Sequence, residues 1–382
     1  MIIFLAQSEN FLQFCSIRQQ GRGQIVKGKR GRPNRRVRLE EVAERCGVSV
    51  STASRALAGA GGVREALRDS IVKAARELNY AIPASMTDRK VILAASSVAM
   101  LDHSRNQFTY HVLDGLNERA RALGVDIVTR PVATPQDEVD LLREAEDDAA
   151  VAGCLFLTLD DAEVLTLAEG FSKPIVLVNG DDPTMRHSSV TPCNRSAAQL
   201  AAQHLIALGH HRILFLMKRG RRTIERRFEG WRDALAAAGV TDTGDLVEEV
   251  ADWLPELAAE AVARRIRQRG LDFTAVLTAG DSLAYGAIRG LEQSGYAVPS
   301  NVSVVGMDDL PLSAFCNPPL TAMHIPMREI GSAALSLLLD DLAFSGLPPR
   351  RIELACSLVV RQSAGPVDGG ARIHGPAAAN RP

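Results

Sequence analysis

The chain has 382 residues, room for about two to three domains, and a hydrophobic content of 46% that can fill sizeable cores. A formal net charge of −1 excludes a uniformly basic or acidic protein, so any charged function must rest on local distribution. Six cysteines (Cys15, Cys46, Cys154, Cys193, Cys316, Cys356) stand at scattered spacings, which indicates neither a disulfide framework nor a zinc site and fits a reducing cytoplasm.

The opening Met1–Ala6 is apolar, but it lacks a basic start and meets Gln7, Ser8, Glu9 and Asn10 at once. It is too short for a membrane span and a poor secretion signal, and the translation start is left open. Residues 1–36 read as a disordered arm. From Phe11 to Leu39 there is no acidic residue, while Lys29-Arg30-Gly31-Arg32-Pro33 and its neighbours are strongly basic. Arg32 is read either as part of a hook in a narrow minor groove or as one charge of a solvated tail.

Residues 37–83 carry the most informative pattern. Val42 and Ala43 give a first short helix its apolar side, and Gly47 stands where a sharp turn needs a residue without Cβ. Ala53 and Leu57, four apart, give a second helix one apolar face. Its other face carries Val50, Ser51, Thr52, Ser54 and Arg55. A third helix follows, with Leu67, Ile71, Ala74, Ala75 and Leu78 on one side. This is an all-α helix-turn-helix unit with a polar helix available for a DNA major groove.

The segment Leu39-x-x-Val42-Ala43-x-x-x-Gly47-Val48-Ser49-x-x-Thr52-x-Ser54-Arg55, with Leu78-Asn79-Tyr80 closing the third helix, resembles the N-terminal signature of the lactose-repressor (LacI/GalR) family of bacterial transcription regulators. The resemblance implies that Val50 and Ser51 read bases. Arg55, one turn on, has the reach for a bidentate contact to guanine, or else pairs with Glu41 or Glu44 at the surface. Ser49, Thr52 and Ser54 suit phosphate contacts, and Ser49 also suits a helix N-cap. The family's hinge normally carries a leucine wedge. Here the short hinge 84–90 has none, and Met86 is its only large apolar residue.

Beyond residue 91, short apolar runs alternate with helical stretches. Strands are expected at 91–95, 125–128, 151–157, 174–178, 213–217, 275–277 and 302–306. Helices are expected at 112–122, 138–146, 162–168, 197–208, 227–238, 258–268 and 282–294. Alternation of this kind means parallel sheets flanked by helices, and the number of strands requires two α/β lobes over 91–362. Residues 363–382, rich in Gly, Ala and Pro, are expected to be a disordered tail.

Ala202–Ile213, Arg227-x-x-Gly230-Trp231, Asp281-x-x-Ala284-x-Gly286, Val304–Asp309 and Pro318-Pro-Leu-Thr321 also resemble the family. The resemblance implies a sensor of periplasmic-binding-protein type that holds a small ligand between its lobes. Arg227 and Asp308 fall at positions that bond ligand hydroxyls or carboxylates, and Asn179, Trp253 and Met327 at further pocket positions. Trp253 either stacks on a sugar face or packs in the core. Gly280 stands where the family often has Asn beside Asp281. Gln107 and Phe108 replace its usual first-strand loop, and Cys193-Asn194 replaces an Asp-Asn pair. The run Lys218-Arg219-Gly220-Arg221-Arg222 is either a solvated surface or a sign of an anionic ligand.

No HExxH, P-loop or GxSxG motif is present, so neither enzyme activity nor a cofactor is expected. His204, His210 and His211 read as helix-end residues. The expected protein is a cytoplasmic, homodimeric repressor. It binds a palindromic operator in double-stranded DNA and answers to a sugar or sugar acid. The tail lacks a leucine heptad, so no coiled-coil tetramer is expected.

Overall fold

A computed structural model describes residues 38–57, 62–78, 89–97, 100, 107–343 and 347–367. Arg32, Met86 and most of the basic arm and hinge lie outside these residues.

Three helices form the N-terminal unit: α1 (Leu39–Cys46), α2 (Val50–Leu57) and α3 (Glu65–Glu77). Gly47 ends α1 in the left-handed region at φ 64°, which turns the chain sharply without a Cβ clash. Leu39, Val42, Ala43, Ala53, Ala56, Leu57, Ile71 and Ala75 close a separate core. Small alanines at the centre let the short helices approach closely.

Two six-stranded sheets follow. The first contains β1 (Lys90–Ser96), β2 (Asp126–Val132), β3 (Val151–Leu157), β4 (Ile175–Val178), β5 (Ser188–Pro192) and β11 (Arg351–Leu354), in the order β11-β5-β4-β3-β1-β2. All its pairings are parallel. The second contains β6 (Ile213–Met217), β7 (Val247–Glu249), β8 (Ala275–Thr278), β9 (Ser303–Asp308), β10 (Thr321–His324) and β12 (Ser357–Val359), in the order β12-β10-β9-β8-β6-β7. The edge strand β12 runs antiparallel to β10, a departure from the all-parallel expectation.

Helices α4 (Gln107–Leu123), α5 (Pro135–Asp147), α6 (Ala162–Leu167) and α11 (Met327–Ala343) cover the first sheet. Helices α7 (Asn194–Ala207), α8 (Arg222–Ala237), α9 (Pro255–Arg269) and α10 (Asp281–Gln293) cover the second. Alternate strand residues feed opposite cores: Leu155 and Leu157 face α4 and α11, whereas Cys154 and Phe156 face α5 and α6. The chain crosses between lobes at 192–194, 324–327 and 354–357.

Several elements lay outside the sequence reading: β5, β7, β10, β11, β12 and α11. The tail also begins later than residue 363. The Ser363 hydroxyl donates to Val304 O (2.6 Å), Gly365 N donates to the Ser303 hydroxyl (3.0 Å), and Val367 N donates to Leu208 O (2.9 Å). His210 is more than a helix-end residue. It is buried, with its ring nitrogens bonded to Thr274 Oγ1 and Gly365 O, both at 3.0 Å, and so helps pin that segment.

Candidate functional site

The α2 surface is built from its apolar side. Ala53, Ala56 and Leu57 anchor the helix, which leaves Val50, Ser51 and Arg55 exposed and Thr52 and Ser54 half-buried. Ser49 Oγ accepts from Thr52 N (3.1 Å) and contacts Thr52 Oγ1 (2.8 Å), so it is an N-cap. The cap fixes the first turn, where Val50 and Ser51 stand. The Glu41 carboxylate accepts from Arg38 N (3.4 Å) at the start of α1. Arg55 is exposed on α2, and no ion pair of Arg55 with Glu41 or Glu44 occurs among the described residues.

The second site lies where the lobes meet, beyond the carboxyl ends of strands. Asn179 follows β4, Gly280 lies just past β8, and Asp308 ends β9. Open parallel sheets place ligands there, because loops at that end converge while the strands stay rigid. Thr158, Asn179 and Asp309 turn these strand ends with φ of 58°, 52° and 58°. For a β-branched threonine that region is strained, and such strain gathers at binding sites.

Arg227 is the centre of the site. It projects from α8, is 4% exposed, and donates from Nε to Asn194 Oδ1 (2.8 Å) and from Nη1 to Ala279 O (2.5 Å). Its Nη1 stands 3.6 Å from Asp308 Oδ1. Gly230, one turn further along α8, makes this placement geometrically possible. A Cβ there would lie 1.9 Å from Arg195 O on α7, so only glycine lets the two helices meet and sets Arg227 beside Asn194.

Asp308 Oδ2 accepts from Asp281 N (3.2 Å). Asp281 Oδ2 accepts from Leu310 N (2.9 Å) and the Ser313 hydroxyl (2.6 Å), which also meets Tyr285 OH at 2.9 Å. Burial pushes the Asp308 carboxyl up to about 7 against the opposing pull of Arg227, and Asp281 up to about 6 against its hydrogen bonds. The strand ends thus hold two buried carboxyls raised above the ordinary carboxylate range.

Trp253 fills the space beside Gly280. A Cβ on Gly280 would lie 3.2 Å from the indole and 3.3 Å from Asp308 Oδ2. The indole thus occupies the space that a side chain at 280 would enter, and Trp253 is half-buried against both neighbouring apolar cores. Asn179 is 5% exposed, and its side-chain Oδ1 has no hydrogen-bond partner among the described residues.

The basic run after β6 is exposed at Arg219 and half-buried at Arg221 and Arg222, and these arginines are ion-paired. Arg219 pairs with Glu225 (3.2 Å) and Glu249, and Arg222 pairs with Glu229 (3.0 Å). Arg221 reaches across the lobes to Asp160 Oδ1 (3.4 Å) and donates to Asn179 O. Arg226 likewise reaches Asp181 (3.3 Å). Asp160 and Asp181 were not evident in the sequence, because only the fold brings them to Arg221 and Arg226. Asn194 was visible there only as half of an altered pair.

Three other expected residues sit apart from this cluster. Gln107 is exposed at the start of α4, Phe108 is half-buried against the main core, and Met327 is 5% exposed within it. None bonds to the Arg227 group. A separate cavity of about 930 Å³ opens at the opposite, amino ends of the first sheet, lined by Arg89, Val151, Lys173, Ile175 and Arg186. Lys173 there is held by Asp148 O (2.7 Å) and Arg186 by Asp182 (3.0 Å), so their charges are already engaged.

Residues 38–82 match the model for bacterial regulatory proteins of the lacI family, and residues 202–364 match the periplasmic binding protein-like domain. The HTH-type transcriptional regulator MalR of Streptomyces coelicolor is 32% identical over 345 residues, spanning 87% of this chain and 98% of MalR. The chain belongs to the lacI family. This lacI-family chain also superposes on the transcriptional regulator CelR–cellobiose complex (TM-score 0.64, 28% identity, 86% of this chain and 100% of that one). It superposes as well on the lac repressor dimer bound to operator and the anti-inducer ONPF (TM-score 0.63, 27% identity, 87% and 100%). The family match and these superpositions bear out the helix-turn-helix unit, the two-lobed α/β fold and the transcription-regulator reading. Among the described residues no helix is long and apolar enough to cross a membrane.

Proposed function

We propose that this lacI-family regulator is a cytoplasmic, homodimeric repressor whose operator affinity is set by a neutral sugar held between its lobes. The observation that carries the reading is the buried Arg227–Asp308 pair at the strand ends, with Asn194, Asn179 and Trp253 around it. Fixed donors and acceptors beside one aromatic face suit a polyol, whose hydroxyls both donate and accept. Asn179 Oδ1 supplies an acceptor that a ligand hydroxyl can satisfy.

A sugar acid is the weaker choice. Arg219, Arg221 and Arg222 are paired with carboxylates, and Arg227 already faces Asp308, so an anion would have to displace one of them. The cellobiose in the CelR complex supports the neutral reading.

Val50, Ser51 and Arg55 are assigned to base edges, and Ser49, Thr52 and Ser54 to backbone positioning. Arg32 would add affinity from the arm. Dimerisation follows from the small reading surface, since paired helices read a palindrome. Phe315 (84% exposed), Tyr110 (62%) and Leu312 (48%) offer apolar surface for it.

The switch needs a ligand that binds one lobe arrangement better than another. The arrangement here is held by Arg221–Asp160 and Arg226–Asp181 across the cleft. A sugar bridging Asn179 to Arg227 and Asp308 would favour it further. A thermal-shift panel of maltose, cellobiose, gluconate and galacturonate tests this. A neutral disaccharide should raise the melting temperature with concentration, and the acids should leave it unchanged. Stabilisation by the acids alone would overturn this proposal.

A further inference from the structure

Cys193 and Cys356 are 163 residues apart in the chain. The fold brings them together at two of the three crossovers between lobes. Cys193 directly follows β5 and precedes α7, while Cys356 lies between β11 and β12. Strands β5 and β11 are parallel neighbours, with Pro192 opposite Leu354. Cys193 N donates to Leu354 O (2.9 Å), and the Cys356 thiol turns back to the same carbonyl (3.8 Å). Both side chains are half-buried at the margin of the core, and neither is in a disulfide.

We propose that Cys193 and Cys356 form a reversible redox site, which a hydroperoxide converts into a disulfide that ties two interlobe crossovers together. The pairing fits the chemistry. The neighbouring Cys356 lowers the Cys193 thiol from its ordinary range to about 6, which favours the attacking thiolate. The same interaction and burial push Cys356 up, and it serves as the resolving thiol. With hydrogen peroxide as the hydroperoxide, the Cys193 thiolate attacks one oxygen and breaks the O–O bond. Sulfenic acid forms, and the departing hydroxide takes a proton to become water. Cys356 then loses its proton and attacks the Cys193 sulfur. The S–S bond forms as the sulfenic hydroxyl leaves as a second water. The sulfurs give up two electrons in all and the peroxide accepts them.

The other described cysteines lack such a partner. Cys154 is fully buried and pushed up to about 12, and the Cys316 thiol is bonded to Ser313 O (3.4 Å) and Pro318 O (3.2 Å). A bond between 193 and 356 would restrain the movement of α7 and β12 relative to the first lobe, because both elements start at these residues. Cytosolic disulfides of this kind are transient and sensing rather than structural.

The test uses full-length protein in a Cys15→Ser background, treated with one equivalent of hydrogen peroxide, blocked with iodoacetamide and mapped without reduction. The expected result is a Cys193–Cys356 linked peptide that forms before any change at Cys46, Cys154 or Cys316 and disappears with dithiothreitol. Iodoacetamide labelling of Cys193 should rise through a midpoint near pH 6. Cys193→Ser should leave Cys356 unoxidised at the same dose, and both single variants should retain the reduced protein's melting temperature within about 2 °C. Oxidation of Cys193 to sulfinic acid without a link would overturn the proposal. So would equal reaction at Cys46 or Cys316.

Discussion

Arg227 on α8 and Asp308 at the end of β9 face each other at 3.6 Å inside the protein, 81 residues apart in the chain. Their pairing joins a helix to a strand end and leaves one guanidinium shared between a carboxylate, the Asn194 amide and the Ala279 carbonyl. Such a group is held by bonds on several sides, so removing it strands several partners at once.

Arg227→Ala is therefore expected to cost about 3–5 kcal/mol of folding stability, the usual result of leaving a buried charge uncompensated. Arg227→Lys keeps the charge but cannot reproduce the fork and should lose sugar binding while recovering part of the stability. Urea titrations and ligand thermal shifts on both variants separate the two effects.

The titration of Asp281 and Asp308 sets a pH dependence. Both folded-state values, about 6 and about 7, lie above the ordinary carboxylate range. Their contribution to stability is thus full below about pH 4 and is lost as pH rises through 6 and 7. Asp308→Asn should flatten this part of the stability curve between pH 5 and pH 8, by about 1–3 kcal/mol. Urea midpoints at those two values measure it. A sugar hydroxyl donated to Asp308 would favour the charged form. Binding near pH 7 should then release protons, seen as a dependence of calorimetric heat on buffer ionisation enthalpy.

Gly280→Asn restores the amide that the family often carries, but its Cβ would crowd Trp253 at 3.2 Å and Asp308 at 3.3 Å. The expected result is a displaced, more solvated indole and a red-shifted emission. Trp231, the other tryptophan, is fully buried and bonded to Ile213 O (3.2 Å), so it provides an unchanged background. Unshifted emission in the variant would contradict the packing of Trp253 against Gly280.

On the DNA-facing helix, Arg55→Ala should lower affinity for the cognate site by about 1–3 kcal/mol without changing the melting temperature, because Arg55 makes no ion pair among the described residues. Ser49→Ala removes the N-cap and should cost about 1 kcal/mol of stability in the N-terminal unit. Fluorescence anisotropy and amide exchange, respectively, check these outcomes.

The sequence was most readable where one physical signal dominated. Val151–Leu157 and Ile213–Met217 are fully buried apolar runs, and their limits coincide with the strands. Strand β5 was illegible for the opposite reason: Ser188-Ser-Val-Thr-Pro192 is polar in composition, yet it is wholly buried, with Ser188 Oγ accepting from Arg350 N (3.1 Å). Helix α11 is apolar over most of its surface, so it lacks the sharp periodicity that marks a half-exposed helix. In the cleft, Arg227 and Asp308 were legible through motif resemblance. The Asp160–Arg221 contact was not, because a pairing across two lobes leaves no local spacing to read.

Sequence-specific operator binding through α2 is tested by selection from a pool of random duplexes by the purified full-length protein at near-physiological salt, run in parallel with Arg55→Ala. The wild-type protein should enrich one two-fold symmetric palindrome, and the variant should lose preference at one base pair in each half-site. Enrichment of no sequence by the wild-type protein, with or without maltose and cellobiose, would contradict such binding.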